Sequence, residues 1–350
     1  MSTMTYREAV RLALREELKR DERVFVIGED VGKFGGAMAV TRGLFDEFGP
    51  KRLVDTPISE SAIIGAALGS ALTGLVPVAE IMFIDFTAVC LDQIVNQVAK
   101  VRYMLGGQVQ VPLVIRTQGG AGKGYAAQHS QSLEAWFSHV PGLIVVMPST
   151  PRDARGLLKS AIREPNPVIY IEHKVLYNTE GEVPEAEELI PLGKAEIKRP
   201  GKDVTITTHS MEVLKALEAA ESLSKDHGIE AEVVDLRTVA PLDEETIIAS
   251  VRKTGRLVTV EEGYENNGIG AEVVSRVVAK AFDSLDAEPV RVAFPNSPIP
   301  FAKSLEQALL PSPRKIVRRF FRSRDEREFG RRPARFRERT GPAAFVNCLQ

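Results

Sequence analysis

The chain is 350 residues long, enough for two globular domains rather than one. Its hydrophobic share of 44% and charged share of 26% are those of an ordinary globular protein, and its two cysteines, Cys90 and Cys348, fit no CxxC or Cys/His spacing, which excludes a disulfide framework and a structural zinc site. No apolar stretch approaches the roughly 20 residues that cross a bilayer, and the first residues enter a polar amphipathic segment directly, so the expectation is a cytoplasmic protein with no secretory signal, no membrane and no nucleic acid among its partners.

The net charge of −2 conceals an asymmetry. From Arg318 to Thr340, ten arginines face Asp325, Glu326, Glu328 and Glu338, so this stretch carries +6 and the rest of the chain −8.

Tyr6, Val10, Leu14 and Leu18 recur every four residues and predict an amphipathic first helix. Apolar runs at 24–27, 76–81, 111–117, 143–147 and 168–172 predict strands, and 61–72, 86–104 and 153–163 predict helices. Such alternation predicts an α/β fold with a mostly parallel sheet and helices on both faces. Residues 178–191 are rich in Glu and Pro and read as a linker or surface arm. The alternation then restarts, with strands at 204–208, 231–236 and 257–261 and helices at 211–224, 244–252 and 271–281, which predicts a second, smaller α/β domain. The expected division is a first domain over 1–180, a linker over 181–200, a second domain over 201–317 and an atypical Arg-rich tail over 318–350. After Pro313 the apolar periodicity fades, and the tail cannot bury much of a core.

In open α/β sheets, ligands bind beyond the carboxyl ends of the strands, so the loops there are the first candidates. In Asp55-Thr56-Pro57-Ile58-Ser59-Glu60, Pro57 holds Thr56 extended and Ser59 can cap the next helix, placing Glu60 in its first turn. Taken alone, Glu60 is an acid that complements the helix dipole or a carboxylate aimed at a ligand. The run Glu80 to Phe86 is a buried strand end with core aromatics, or a pocket wall. The glycine loop Gly119-Gly120-Ala121-Gly122-Lys123-Gly124 is no Walker motif, but it leads into Gln128-His129-Ser130-Gln131. His129 in that setting is a proton donor or a structural histidine. Glu261-Glu262-Gly263 reads as a solvated turn.

Together and in order, these segments resemble the beta subunits of the 2-oxo acid dehydrogenase complexes, which act on pyruvate, branched-chain 2-oxo acids or acetoin. The match runs from about residue 4 to 317 and includes IGEDVG, DTPISE, DQIVNQVAKVRYM, AAQHSQSLEAWFSHVPGL, VVMPSTPRDARGLL, NPVIYIEHK and VDLRTVAPLD. The resemblance implies a thiamin-diphosphate-binding, pyrimidine-type domain followed by a transketolase C-terminal-type domain. It implies that Glu60 bonds the aminopyrimidine ring nitrogen of thiamin diphosphate and so promotes loss of the thiazolium C2 proton. Phe86 would pack against the pyrimidine, Met82 would line the same pocket, and His129 would donate a proton as the acyl group passes to a lipoyl dithiolane.

Thiamin enzymes hold the diphosphate through Mg²⁺ with a Gly-Asp-Gly sequence and a downstream Asn, and this chain contains no Gly-Asp-Gly. The resemblance therefore implies that Mg²⁺ is bound by a separate alpha subunit in an α₂β₂ heterotetramer. It also implies a lipoyl-bearing acyltransferase partner and a small-molecule 2-oxo acid substrate. Some relatives hold K⁺ largely through backbone carbonyls, and the matching positions are Leu113, Ala161, Ile162, Glu164 and Asn166. The leading expectation is oxidative decarboxylation of a 2-oxo acid, pyruvate first, with acetoin or a branched-chain acid as alternatives. A scaffold subunit that only docks to the acyltransferase core is the non-enzymatic alternative, and the joint presence of Glu60, Phe86 and His129 argues against it.

Overall fold

The computed structural model describes residues 1–328, with side chains to Phe321. Its strands are β1 (Ser2–Thr5), β2 (Val24–Gly28), β3 (Leu53–Asp55), β4 (Val76–Ile81), β5 (Val114–Gly119), β6 (Ile144–Val146), β7 (Val168–His173) and β8 (Glu180–Val183), then β9 (Glu196–Arg199), β10 (Val204–Thr208), β11 (Ala231–Asp235), β12 (Thr238–Ala240), β13 (Leu257–Tyr264) and β14 (Val290–Phe294).

The first helix, Tyr6–Arg20, starts where Thr5 and Glu8 form a reciprocal capping box, and it buries Tyr6, Val10, Leu14 and Leu18, the four residues its spacing predicts. The first sheet has the order β12-β6-β7-β5-β4-β2-β3, and only β12 runs antiparallel to its neighbour. Every residue of β4, β5 and β7 is buried, as expected of a parallel sheet covered on both faces. Ile27, Ala79, Ile81, Ile115 and Ile171 share one core with Ile63, Ile64 and Ala67 of helix Glu60–Leu72. Val26, Val78, Val114 and Tyr170 share another with helices Tyr6–Arg20 and Pro151–Ile162. The second sheet, β14-β13-β10-β11-β9, is parallel except at β9.

The structure departs from the sequence reading at four places. The helix expected over 86–104 is broken into a tight turn Ile84–Ala88, a widened stretch Gln93–Val98 and a short helix Val101–Met104. The stretch read as a linker contains β8, which pairs antiparallel with β1, and β9, which edges the second sheet. Strand β12 leaves the C-terminal half and pairs with β6, and Met147 N–H donates to the Arg237 carbonyl at 2.7 Å. A helix Pro313–Glu328 continues where the apolar pattern was expected to fade, because Ile316 and Phe320, one turn apart, are buried against the second-sheet core. The remainder of the Arg-rich tail, from residue 329, lies outside the described residues. Among the described residues no helix is long and apolar enough to cross a membrane.

Candidate active site at the carboxyl edge of the first sheet

Because β2, β3, β4, β5 and β7 are parallel, Gly28, Asp55, Ile81, Gly119 and His173 end along one edge. Asp55 accepts the Gly32 amide at 2.6 Å and ties the loops after β2 and β3 together. Glu60 opens helix Glu60–Leu72, as its place in the sequence predicts. Ser59 departs from expectation: it occupies the cap position, but its hydroxyl makes no capping bond.

Glu60 as a residue is 8% exposed, and its carboxylate has no hydrogen bond or ion pair among the described residues. Glu29 lies close, its carboxyl raised first by burial and then by the charge of Glu60. Cys90 also feels the Glu60 charge, its thiol pushed up to about 12 by burial and then by Glu60. Ser61 Oγ–H donates to the Val89 carbonyl at 3.0 Å, anchoring the start of this helix to the segment that carries Phe86.

Beyond β4 stands a ring cluster. The His129 imidazole meets Phe86 edge-on with centroids 5.3 Å apart and Phe83 at 5.9 Å. Phe83 adopts φ +77°, a strained value for a bulky side chain, and its amide donates to Gln118 Oε1 at 3.3 Å. Met82 and Phe86 are half-buried. Sequence-predicted Phe86 and His129 are therefore in contact, and Glu60 stands at the adjoining helix start.

The glycine loop is held by carboxylates from the other half of the chain. Glu262 of β13 accepts the Ala121 amide at 2.6 Å and the Ser132 hydroxyl at 3.3 Å. Glu306, in helix Lys303–Leu309, accepts the Gly122 amide at 2.8 Å and the Gly124 amide at 3.2 Å. The reading of Glu261-Glu262-Gly263 as a solvated turn is thus corrected: Glu261 and Glu262 are buried in the last part of β13. Burial pushes the Glu262 carboxyl up, but His173, Lys215 and the Ala121 amide outweigh it and hold it low. Gly120 has φ +91°, and a Cβ there would lie 2.1 Å from His173 Nε2, so only glycine fits.

Sequence reading missed Lys174. It follows β7 directly, is 1% exposed, and donates through Nζ to the carbonyls of Gly120, at 3.1 Å, and His129. Its Nζ also lies 4.8 Å from the Phe83 ring centroid. The available signal was His173-Lys174, two polar residues that directly follow the buried strand residues 168–172 at the sheet edge where ligands bind.

The five expected K⁺ positions gather elsewhere. Leu113 precedes β5, Ala161 and Ile162 end helix Pro151–Ile162, and Glu164 and Asn166 precede β7, at the opposite sheet edge. Leu113 O accepts the Val168 amide at 2.9 Å, Asn166 Nδ2 donates to Glu164 Oε1 at 2.6 Å, and the Arg102 guanidinium donates to Asn166 Oδ1. Among the described residues, no group of three or more His, Cys, Asp or Glu side chains is arranged to hold a metal ion.

The architecture agrees with two family models: the transketolase pyrimidine binding domain matches residues 2–180, and the transketolase C-terminal domain matches residues 193–316. A solved split-gene transketolase, an inactive β4 tetramer, superposes with a TM-score of 0.75 at 26% identity, covering 91% of this chain and 98% of that one. A pyruvate dehydrogenase E1 component subunit beta of Rhizobium meliloti is 49% identical over 318 residues, covering 91% of this chain and 69% of the relative. Its counterpart in Rickettsia felis is 49% identical, covering 90% and 96%. An acetoin:2,6-dichlorophenolindophenol oxidoreductase subunit beta of Cupriavidus necator is 50% identical, covering 88% and 94%. The chain belongs to the transketolase-type family of E1 beta subunits.

Proposed function

We propose that the chain is the beta subunit of a thiamin-dependent 2-oxo acid dehydrogenase, with pyruvate as substrate and the lipoyl group of an acyltransferase as acyl acceptor. The observation that carries the site assignment is the buried, unpartnered Glu60 carboxylate beside the segment on which Phe86 meets His129. Such a carboxylate suits a ring nitrogen, because its acceptor oxygens are free to take an N–H from a ligand at a site largely closed to solvent. Thiamin diphosphate, when bound, supplies the carbanion centre and electron sink for decarboxylation. Glu60 would hold the proton shared with the aminopyrimidine ring nitrogen, and Met82 and Phe86 would flank the ring and exclude water. His129 would give a proton to the departing dithiolane sulfur.

The alpha subunit would supply the Mg²⁺ and diphosphate ligands, because the Gly-Asp-Gly sequence is missing from this chain. The backbone oxygens of Leu113, Ala161, Ile162, Glu164 and Asn166 are the kind of donor that suits K⁺. Domain limits at 1–180 and 201–317, joined by 181–200, go with this reading. Acetoin is the second substrate reading, because the acetoin relative is as similar as the pyruvate ones. The test is reconstitution with the alpha partner, assayed with pyruvate and acetoin. Turnover is expected only from the assembled pair, and turnover by this chain alone overturns the two-chain site.

A further inference from the structure

We propose that Lys174 is the positioning residue for His129, stapling together the two ends of the loop that carries it. The inference rests on the reading of His129 as donor in acyl transfer and adds the residue that holds it in place.

The loop from Gly120 to His129 is glycine-rich, and Gly120, Gly122 and Gly124 all sit at positive φ, so its path is set by its anchors and not by side-chain packing of its own. Its base is closed twice. Gly120 N–H donates to the Gln131 carbonyl at 3.0 Å, and the Lys174 ammonium bridges the carbonyls of Gly120 and His129. With the Phe83 ring beside it, the ammonium has three neighbours for its three N–H groups.

No carboxylate forms an ion pair with Lys174 among the described residues. Asp85, Glu262 and Glu306 are near enough to favour its charge, yet each bonds elsewhere. Asp85 accepts from Gln131, Glu262 from Ala121, Ser132 and His173, and Glu306 from Gly122 and Gly124. A buried ammonium without an ion pair is costly, so its directional bonds to two loop carbonyls are its structural product. Those bonds locate the His129 backbone, and Phe83 and Phe86 then orient its ring.

Proton delivery to a departing sulfur needs the donor within hydrogen-bond reach, and a displacement of about 1 Å can cost about 10² in rate. Decarboxylation does not use that proton. Loss of Lys174 therefore lowers the lipoyl-dependent reaction relative to decarboxylation read with an artificial electron acceptor.

The experiment uses the reconstituted heterotetramer with Lys174→Met, Lys174→Gln and His129→Ala. Both assays are run, and hydrogen–deuterium exchange is followed over residues 120–131 and, for reference, 60–72. Lys174→Met is expected to lower the ratio of lipoyl-dependent to artificial-acceptor turnover by at least about tenfold. Exchange is expected to rise in 120–131 and not in 60–72. Lys174→Gln, which keeps an N–H donor, is expected to recover part of both effects, and it decides the matter if Lys174→Met fails to assemble. A lowered ratio in His129→Ala with a wild-type ratio and wild-type exchange in both Lys174 variants overturns the staple. Equal losses of both reactions in His129→Ala overturn the underlying reading of His129, and the exchange result then tests the staple by itself.

Discussion

Glu262, in the second sheet, accepts the Nε2–H of His173, the last residue of β7 in the first sheet, at 3.1 Å. Val175 N–H donates to Nδ1 of the same ring at 3.2 Å, which assigns the ring's own proton to Nε2. This bond crosses between the two halves of the chain directly beneath the glycine loop. The loop that presents His129 is therefore built on both sheets.

The first prediction concerns that joint. Glu262→Gln replaces an acceptor of three hydrogen bonds by an amide that can satisfy fewer of them. The expected loss is about 1–3 kcal/mol of stability, read as a lower denaturant midpoint. Gly120→Ala is expected to be worse, since its Cβ would overlap the His173 ring and its φ of +91° disfavours any side chain. Wild-type midpoints in both variants would show that the joint carries no load.

The second prediction separates Glu60's charge from its fold. In the wild type, burial and then the Glu60 charge push the Cys90 thiol up to about 12. Glu60→Gln removes that charge, so Cys90 should titrate lower, measurable from thiolate ultraviolet absorbance in an alkaline titration with Cys348 replaced. Stability should change by no more than about 1 kcal/mol, the worth of one acid at a helix N-terminus. In the assembled enzyme, exchange of the thiazolium C2 proton should slow by about 10² to 10⁴. Wild-type exchange would remove Glu60 from the chemistry whatever the thiol does.

The third prediction tests the ion triad inside the sheet. Arg116 lies fully buried between Glu80, at 2.5 Å, and Glu172, at 2.6 and 2.8 Å, and Tyr177 O–H donates to Glu172. Glu80 on β4 sits beside Arg116 on β5, while Glu172 on β7 lies two residues beyond Tyr170, the residue beside Arg116 on that strand. Arg116→Met strands two buried carboxylates and should cost about 3–5 kcal/mol. Because those carboxyls can be neutralised by protons, the deficit should shrink as pH falls. A deficit independent of pH would mean that lost packing, not stranded charge, is responsible.

What sequence reading caught and missed divides along the range of the interactions. Tyr6, Val10, Leu14 and Leu18 announce their helix because the period lies within one element, and the buried strands announce themselves as apolar runs. The expectations for Glu60, Phe86 and His129 rest on the resemblance of short segments, and the fold shows only that Phe86 meets His129 with Glu60 at the adjoining helix start. Glu306 could not be found that way, because it is 184 residues from the Gly122 amide it binds. Lys174 looks like an ordinary charged residue after a strand until the His129 carbonyl, 45 residues away, is seen against it. Strand β12 has too few residues for a pattern, and its membership in the first sheet is purely tertiary. In helix Pro313–Glu328 the four-residue spacing of Ile316 and Phe320 was present, but the surrounding arginines obscured it.

The fourth prediction follows from the charge on Lys174. Burial is the main cause that lowers its ammonium to about 8, and Asp85 from the turn Ile84–Ala88, Glu262 from β13 and Glu306 from helix Lys303–Leu309 oppose part of that effect. Above this value the amine loses a donor, and the hold on the His129 carbonyl weakens. Lipoyl-dependent turnover should therefore decline through pH about 8, while turnover with an artificial acceptor should lack that limb. Lys174→Met should remove the limb by starting from the weakened state. Unfolding predicts the opposite trend for this group. Its folded value lies below the ordinary 10.5, so between about 8 and 10.5 the unfolded chain binds more protons and the lysine's contribution to stability rises with pH. Thermal melts of the heterotetramer at pH 7, 8 and 9, beside the two activity profiles, distinguish the causes. An alkaline limb shared by both reactions and matched by falling melting temperature would assign it to unfolding and not to Lys174.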